Sequence, residues 1–237
     1  MSVSSLSRPP MDRAAPAETT EAVFALGCLW GADAWFGGVD GVVRTRAGFA
    51  GGTAPGPTHT DPGDHLEAVR VEYDADRLSY TGLLDRFWAG HDPTQTASRR
   101  RYRHALMPQT RTQAERARHS REKWRANSGA EATIQIVDDA TFVPAAPHHQ
   151  NYKLRDDDRL MAAFQSLLPD EEALIRSPAA TLTNSYVDGA RPPERLDDDR
   201  ERLGLPPDAL ARLRTHAGRQ QGWRAFVRGE ARQERAS

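Results

Sequence analysis

The segment Gly27-Cys28-Leu29-Trp30-Gly31 constrains the fold more than any other stretch of the chain. Before it runs Ala22-Val23-Phe24-Ala25-Leu26, an apolar run of the length of a buried strand, read here as spanning 21–26. After it, Leu29 to Phe36 reads as a helix that stops at Gly37-Gly38. A strand that passes straight into a helix needs a sheet to join and an apolar sheet face for the helix to cover. The junction carries Cys28, the single cysteine among 237 residues. A thiol there sits beside unpaired backbone N–H groups and the positive end of the helix, and both favour the thiolate. Gly27 and Gly31 are expected to ease the turn and leave room for a ligand. Packing explains such a residue too, because a free cysteine behaves as a small hydrophobe.

Downstream, Val42 to Phe49 reads as a strand, and residues 50–64, rich in Gly, Pro, Thr, Asp and His, as a loop. Leu66 to Tyr73 is a strand whose period of two puts Glu67, Val69, Val71 and Tyr73 on one face. Ser79 caps a helix whose Leu83, Leu84, Phe87 and Trp88 share an apolar side. A loop over 92–101 leads to a short strand from Tyr102 to Met107. Gln109 to Asn127 is a charged surface helix closed by Ser128-Gly129. Further expectations are a strand from Ala132 to Val137, an edge piece at Phe142-Val143-Pro144, and helices over 156–168 and 206–214. Without a steady parallel βαβ rhythm, the pattern predicts an α+β fold, a two-layer sandwich with a mixed sheet flanked by helices. Residues 1–20, rich in Ser, Pro and Ala, read as a disordered lead-in to a domain over 21–205. Residues 206–237 read as a helical or disordered extension.

Composition narrows the function classes. A net charge of −1 argues against a dedicated nucleic-acid or anionic-membrane binder. No run approaches the ~18 apolar residues of a membrane helix, and residues 1–20 lack the apolar core of a signal peptide. A single cysteine forbids an internal disulfide and suits a reducing compartment. A cytoplasmic monomer is the default expectation.

Glu67 is the first candidate partner for Cys28. A carboxyl on the apolar side of a strand has its pKa raised by desolvation, as a general acid requires. A strand glutamate paired with an arginine is the other reading of the same position. The arginines from Arg99 to Arg103 read as a solvated loop in a chain otherwise near neutral. His148-His149 does not make a metal site, since adjacent histidines share no helix face and no cysteine or acidic partner recurs at ligand spacing.

Taken in order, GCLWG (27–31), GFAGG (48–52), GDHLEAVRVEYD (63–74) and HDPTQ (91–95) resemble the methionine sulfoxide reductase A family, from about Phe24 to about Leu205. The resemblance implies a ferredoxin-like core, with Cys28 as nucleophile and Glu67 as the acid that protonates the sulfoxide oxygen. It implies Tyr102 as a hydroxyl donor to that oxygen, and Leu29 and Trp30 as walls of the methyl pocket. His149, Gln150 and Tyr152 match a His-Gln-x-Tyr segment that supports the site. Three positions depart from the family pattern. Leu29 replaces a phenylalanine, His59 stands where a tyrosine is usual, and the aspartate of the loop after HDPTQ is missing where three arginines crowd. Cysteines that recycle the enzyme in longer relatives are absent from the tail over 179–205.

The expected activity is reduction of the S-epimer of methionine sulfoxide, free or in an oxidised protein, through a Cys28 sulfenic acid. The resemblance implies no metal and no organic cofactor, and an external reductant, thioredoxin or a small thiol. The departures leave open two alternatives: a low-turnover binder of a sulfoxide or methylthio group, and a reductase of one specialised metabolite.

Overall fold

The computed structural model describes residues 8–218. A short helix, α1 (Pro10–Arg13), precedes β1 (Thr20–Leu26), α2 (Leu29–Gly37), β2 (Val42–Ala50) and β3 (Leu66–Tyr73). Next come α3 (Tyr80–Trp88), β4 (His104–Met107), α4 (Arg111–Ser128), β5 (Gln135–Ile136) and β6 (Phe142–Pro144). The rest is helical: α5 (Tyr152–Arg155), α6 (Asp158–Leu167), α7 (Glu171–Arg176), α8 (Pro178–Asp188), α9 (Leu196–Leu203) and α10 (Pro207–Ala217).

Among the described residues, six strands form one mixed sheet in the order β5-β4-β1-β3-β2-β6. Its four central strands are antiparallel, and only β5 joins in parallel, along β4. With α2 between β1 and β2 and α3 between β3 and β4, this is the β-α-β-β-α-β arrangement of ferredoxin-like folds. The α+β expectation holds. Alternation along β1 explains the layering: Ala22, Phe24 and Leu26 point at Trp35 and Phe36 of α2 and Leu83 and Phe87 of α3. Val23 and Ala25 face the other way, with Leu66, Ala68, Ala105 and Met107, and there Val137 and Phe142 pack against them.

Several boundaries differ from expectation. The strand expected at Ala132–Val137 shrinks to β5, because the Thr133 amide donates to the Pro93 carbonyl (2.8 Å) and not to a neighbouring strand. Tyr102 lies in a 3-10 turn over Arg100–Tyr102 and not in β4. The lead-in over 1–20 is not featureless where described. Pro10 packs against Gly204, and Asp12 accepts from the Ala179 amide (2.9 Å) at the start of α8. Residues 1–7 and 219–237 of the two expected terminal segments lie outside the described residues. No break falls at 205. Leu205, Ala209, Leu213 and Ala217 continue the helical core of Leu160, Phe164, Leu182 and Tyr186.

That second core is tied to α2 by charge. Arg191 is 3% exposed and donates to Asp199 (2.6 Å), the Gly38 carbonyl (2.8 Å) and Asp40 (3.0 Å). Tyr186 donates its hydroxyl to the same Asp199 carboxylate at 2.7 Å. Removing the guanidinium takes the nearer of two counter-charges from the buried Asp199 carboxylate and leaves it Tyr186 and the half-exposed Arg202 (3.0 Å). Arg191→Met is therefore expected to cost about 3 kcal/mol in urea unfolding. The half-exposed Arg195, 2.9 Å from Asp40, should cost under about 1 kcal/mol when changed the same way. Equal losses for the two variants would refute the buried pair as the tie.

Candidate active site

Antiparallel pairing assembles the site. The C-terminal end of β1 lies against the start of β4 (Leu26 opposite His104) and, beyond Phe24 opposite Val69, runs toward the start of β3. Residues just past the end of β1 therefore meet residues at the heads of β3 and β4. Those residues are Cys28, Glu67 and Tyr102. Gly27 adopts φ 78°, the left-handed conformation that lets the chain leave the strand, and Cys28 is the N-cap of α2. Gly31 does not share that role, since it lies buried within α2.

Glu67 is fully buried. Its Oε2 accepts from the Leu29 amide at 2.9 Å, so the carboxylate caps the helix that Cys28 opens. Phe49 stands directly opposite Glu67 on β2 and is buried with Leu29, Ala47 and Ala145. In this apolar setting desolvation raises the Glu67 pKa, against the opposing pull of the Leu29 amide and of Arg101.

Cys28 corrects one expectation. Burial and then the Glu67 charge push its thiol above the ordinary value, and the Trp30 and Gly31 amides only partly offset them. Helix-end activation of the thiolate is present but loses to desolvation and to the neighbouring anion.

Above the thiol, Trp30 stacks on Tyr152 at 3.8 Å between ring centres and on His59 at 5.0 Å. Its indole N–H donates to His149 Nδ1 at 3.3 Å. Burial, helped by His148 and His59, lowers the His149 pKa to about 4, so this ring is neutral and can accept. Leu29 is fully buried, its side chain part of the floor with Phe49. The Gln150 side chain docks on β2 as a strand would: its Oε1 accepts from the Ala47 amide, and its Nε2 donates to the Ala47 and Ala145 carbonyls, all at 2.9 Å. That clamp holds His149 and Tyr152 beside Trp30.

The composition of the arginine run predicts a solvated loop, and there the structure differs. Arg101 Nη1 donates to the His59 carbonyl at 2.7 Å and lies 3.7 Å from Glu67 Oε1. His59 Nδ1 approaches the same oxygen to 3.8 Å. Arg100 donates to the Asp64 carbonyl (3.0 Å), lacing the turn to the loop over 51–65. The signal was in the sequence, since the arginines crowd where the family aspartate is missing. Lys153 carries no motif signal in the sequence, yet its positive charge also favours the Cys28 thiolate. Among the described residues, no group of three or more histidine, cysteine or acidic side chains could hold a metal ion.

Residues 20–177 match the sequence family described as peptide methionine sulfoxide reductase. Over 178 residues the chain is 38% identical to peptide methionine sulfoxide reductase A5 of Arabidopsis thaliana, covering 73% of this chain and 69% of the relative. It is 33% identical to a peptide methionine sulfoxide reductase of Drosophila melanogaster, over 78% of this chain and 75% of that one. The solved methionine sulfoxide reductase A of Corynebacterium diphtheriae superposes with a TM-score of 0.55 and 30% identity, over 60% of this chain and 76% of that one.

The perturbed thiol gives a direct test. Alkylation of Cys28 by iodoacetamide should be slow at neutral pH and still climbing past pH 9, and Glu67→Gln should move that climb to lower pH. A wild-type thiol already fully reactive at pH 7 would contradict the electrostatic account.

Proposed function

The chain belongs to the peptide methionine sulfoxide reductase family, an oxidoreductase family, and we propose that it reduces the S-epimer of methionine sulfoxide through a Cys28 sulfenic acid. The observation that carries this reading is the sharing of one helix end by a half-buried thiol and a fully buried carboxyl. With its proton in place, Glu67 no longer imposes the negative charge that raises the thiol pKa. The Trp30 and Gly31 amides and Lys153 then favour the thiolate. The two sites titrate as a coupled pair, and the productive form has the proton on Glu67 and the charge on Cys28.

From that form the thiolate attacks the sulfoxide sulfur while Glu67 hands its proton to the oxygen, assisted by the Tyr102 hydroxyl. The oxygen passes to Cys28, the thioether is released, and the sulfur that was a thiol is now a sulfenic acid. Trp30, backed by Tyr152, offers an apolar wall for the methyl group. No second cysteine in this chain can condense with Cys28, so an external thiol, either thioredoxin or a small thiol, completes the cycle.

Cys28→Ser should abolish reduction and leave the circular dichroism spectrum unchanged, because a serine hydroxyl is hardly ionised near neutral pH. Glu67→Gln should slow single-turnover methionine release on the order of 100-fold, with substrate binding changed less. An undiminished rate in either variant would remove that residue from the mechanism.

Stoichiometry tests the intermediate. Without reductant the protein should release at most one methionine per chain and then react at Cys28 with a sulfenate-trapping dione. Excess thiol should restore steady turnover. Many turnovers with no thiol present would exclude the sulfenic acid route.

A further inference from the structure

Glu67 presents two oxygens to different partners. Oε2 is engaged by the Leu29 amide, whereas Oε1 has no hydrogen-bond partner among the described residues. The groups that face this carboxyl are Cys28 and the Leu29 amide at the head of α2, His59 from the long loop, and Arg101 and Tyr102 from the 3-10 turn. Desolvation and then the charge of Arg101 lower the His59 pKa, so His59 is the weaker and conditional cation here. The tyrosine and the thiol carry no positive charge in any state. Arg101 is thus the permanent cation at this carboxyl, 3.7 Å from Oε1. It is held in place, since the same nitrogen donates to the His59 carbonyl at 2.7 Å and the adjoining Arg100 is tied to the Asp64 carbonyl.

A cation at that distance matters most when Glu67 has given up its proton. When the proton moves from the carboxyl to the sulfoxide oxygen, the electron pair of the broken O–H bond stays on Glu67 as a full negative charge in an apolar pocket. Without an opposing charge, that product would be costly. On the proposed role of Glu67 as the acid, we infer that Arg101 is a positioning residue for the reduction, which stabilises the Glu67 carboxylate as it forms and sets the pH range over which the acid works. Arg101 acts through Glu67 and needs no contact with substrate. Stabilising the carboxylate makes Glu67 a stronger acid and also empties it of its proton at a lower pH. In the coupled pair the first proton lost is the one that Glu67 holds against Arg101 and the second is the thiol's, so the acid limb of the first chemical step belongs to the pair Glu67–Arg101.

The test is single-turnover methionine release from N-acetyl-methionine-S-sulfoxide amide between pH 5 and 9, for wild type, Arg101→Gln, Arg101→Lys and Glu67→Gln. Loss of the cation raises the Glu67 pKa, so in Arg101→Gln the acid limb should move up by about one pH unit. The plateau rate of that variant should fall on the order of 10-fold, because the acid is weaker, with KM unchanged. Arg101→Lys should return the limb and most of the rate. A wild-type limb and rate in Arg101→Gln would overturn the inference. So would equal losses in the Gln and Lys variants with the limb unmoved, the signature of a side chain that only braces the loop. A silent Glu67→Gln would overturn the acid assignment itself, and this inference with it.

Discussion

One hydrogen bond joins the sheet to the helix that grows from it: the Leu29 amide donating to Glu67. It satisfies one of the amides that a helix start leaves without a partner, and it does so with a carboxyl drawn from the neighbouring strand. The nucleophile is the residue just before that amide. Acid and thiol are therefore a consequence of the same junction, and any shift of α2 along β3 carries the thiol away from the acid. The burial that makes Glu67 a useful acid is also what holds the thiol protonated, so the site works as a pair or not at all.

The core fold was legible because its periodicities are strong and local. The apolar run before Gly27, the alternation from Leu66 to Tyr73 and the Ser79 cap each carry their structure within a few residues, and the elements fall where expected. α6 falls within the helix expected over 156–168, whereas α5, α7, α8 and α9 carry no such signal. α8 is buried on nearly every side, so it has no polar stripe to mark it, and the polar residues it does contain, such as Asn184, are spent on buried partners such as Asp33 (3.0 Å). Where a strand was over-extended, as at Ala132–Val137, a loop carbonyl had taken the hydrogen bond.

Within the site, residue types were readable and electrostatics were not. Cys28, Glu67 and Trp30 stand out by position and pattern. A helix start predicts an activated thiolate, yet whether it wins depends on how much solvent is lost and which charges stand near, and neither is local in sequence. Arg101 makes the same point from the opposite side. A run of arginines in a polar loop has the composition of a solvated surface, and only the folding of that loop over Glu67 turns one of them inward.

The Gln150 amide supports β2 in place of a strand, with donor and acceptor each matched to the backbone of Ala47. A backbone cannot change its chemistry with age, whereas a side-chain amide can lose ammonia. Were that to happen at Gln150, an oxygen would face the Ala47 and Ala145 carbonyls where a donor had been, and the grip on the segment carrying His149 and Tyr152 would turn to repulsion. In a protein whose family repairs one kind of chemical wear, the wall of the pocket hangs on a group open to another.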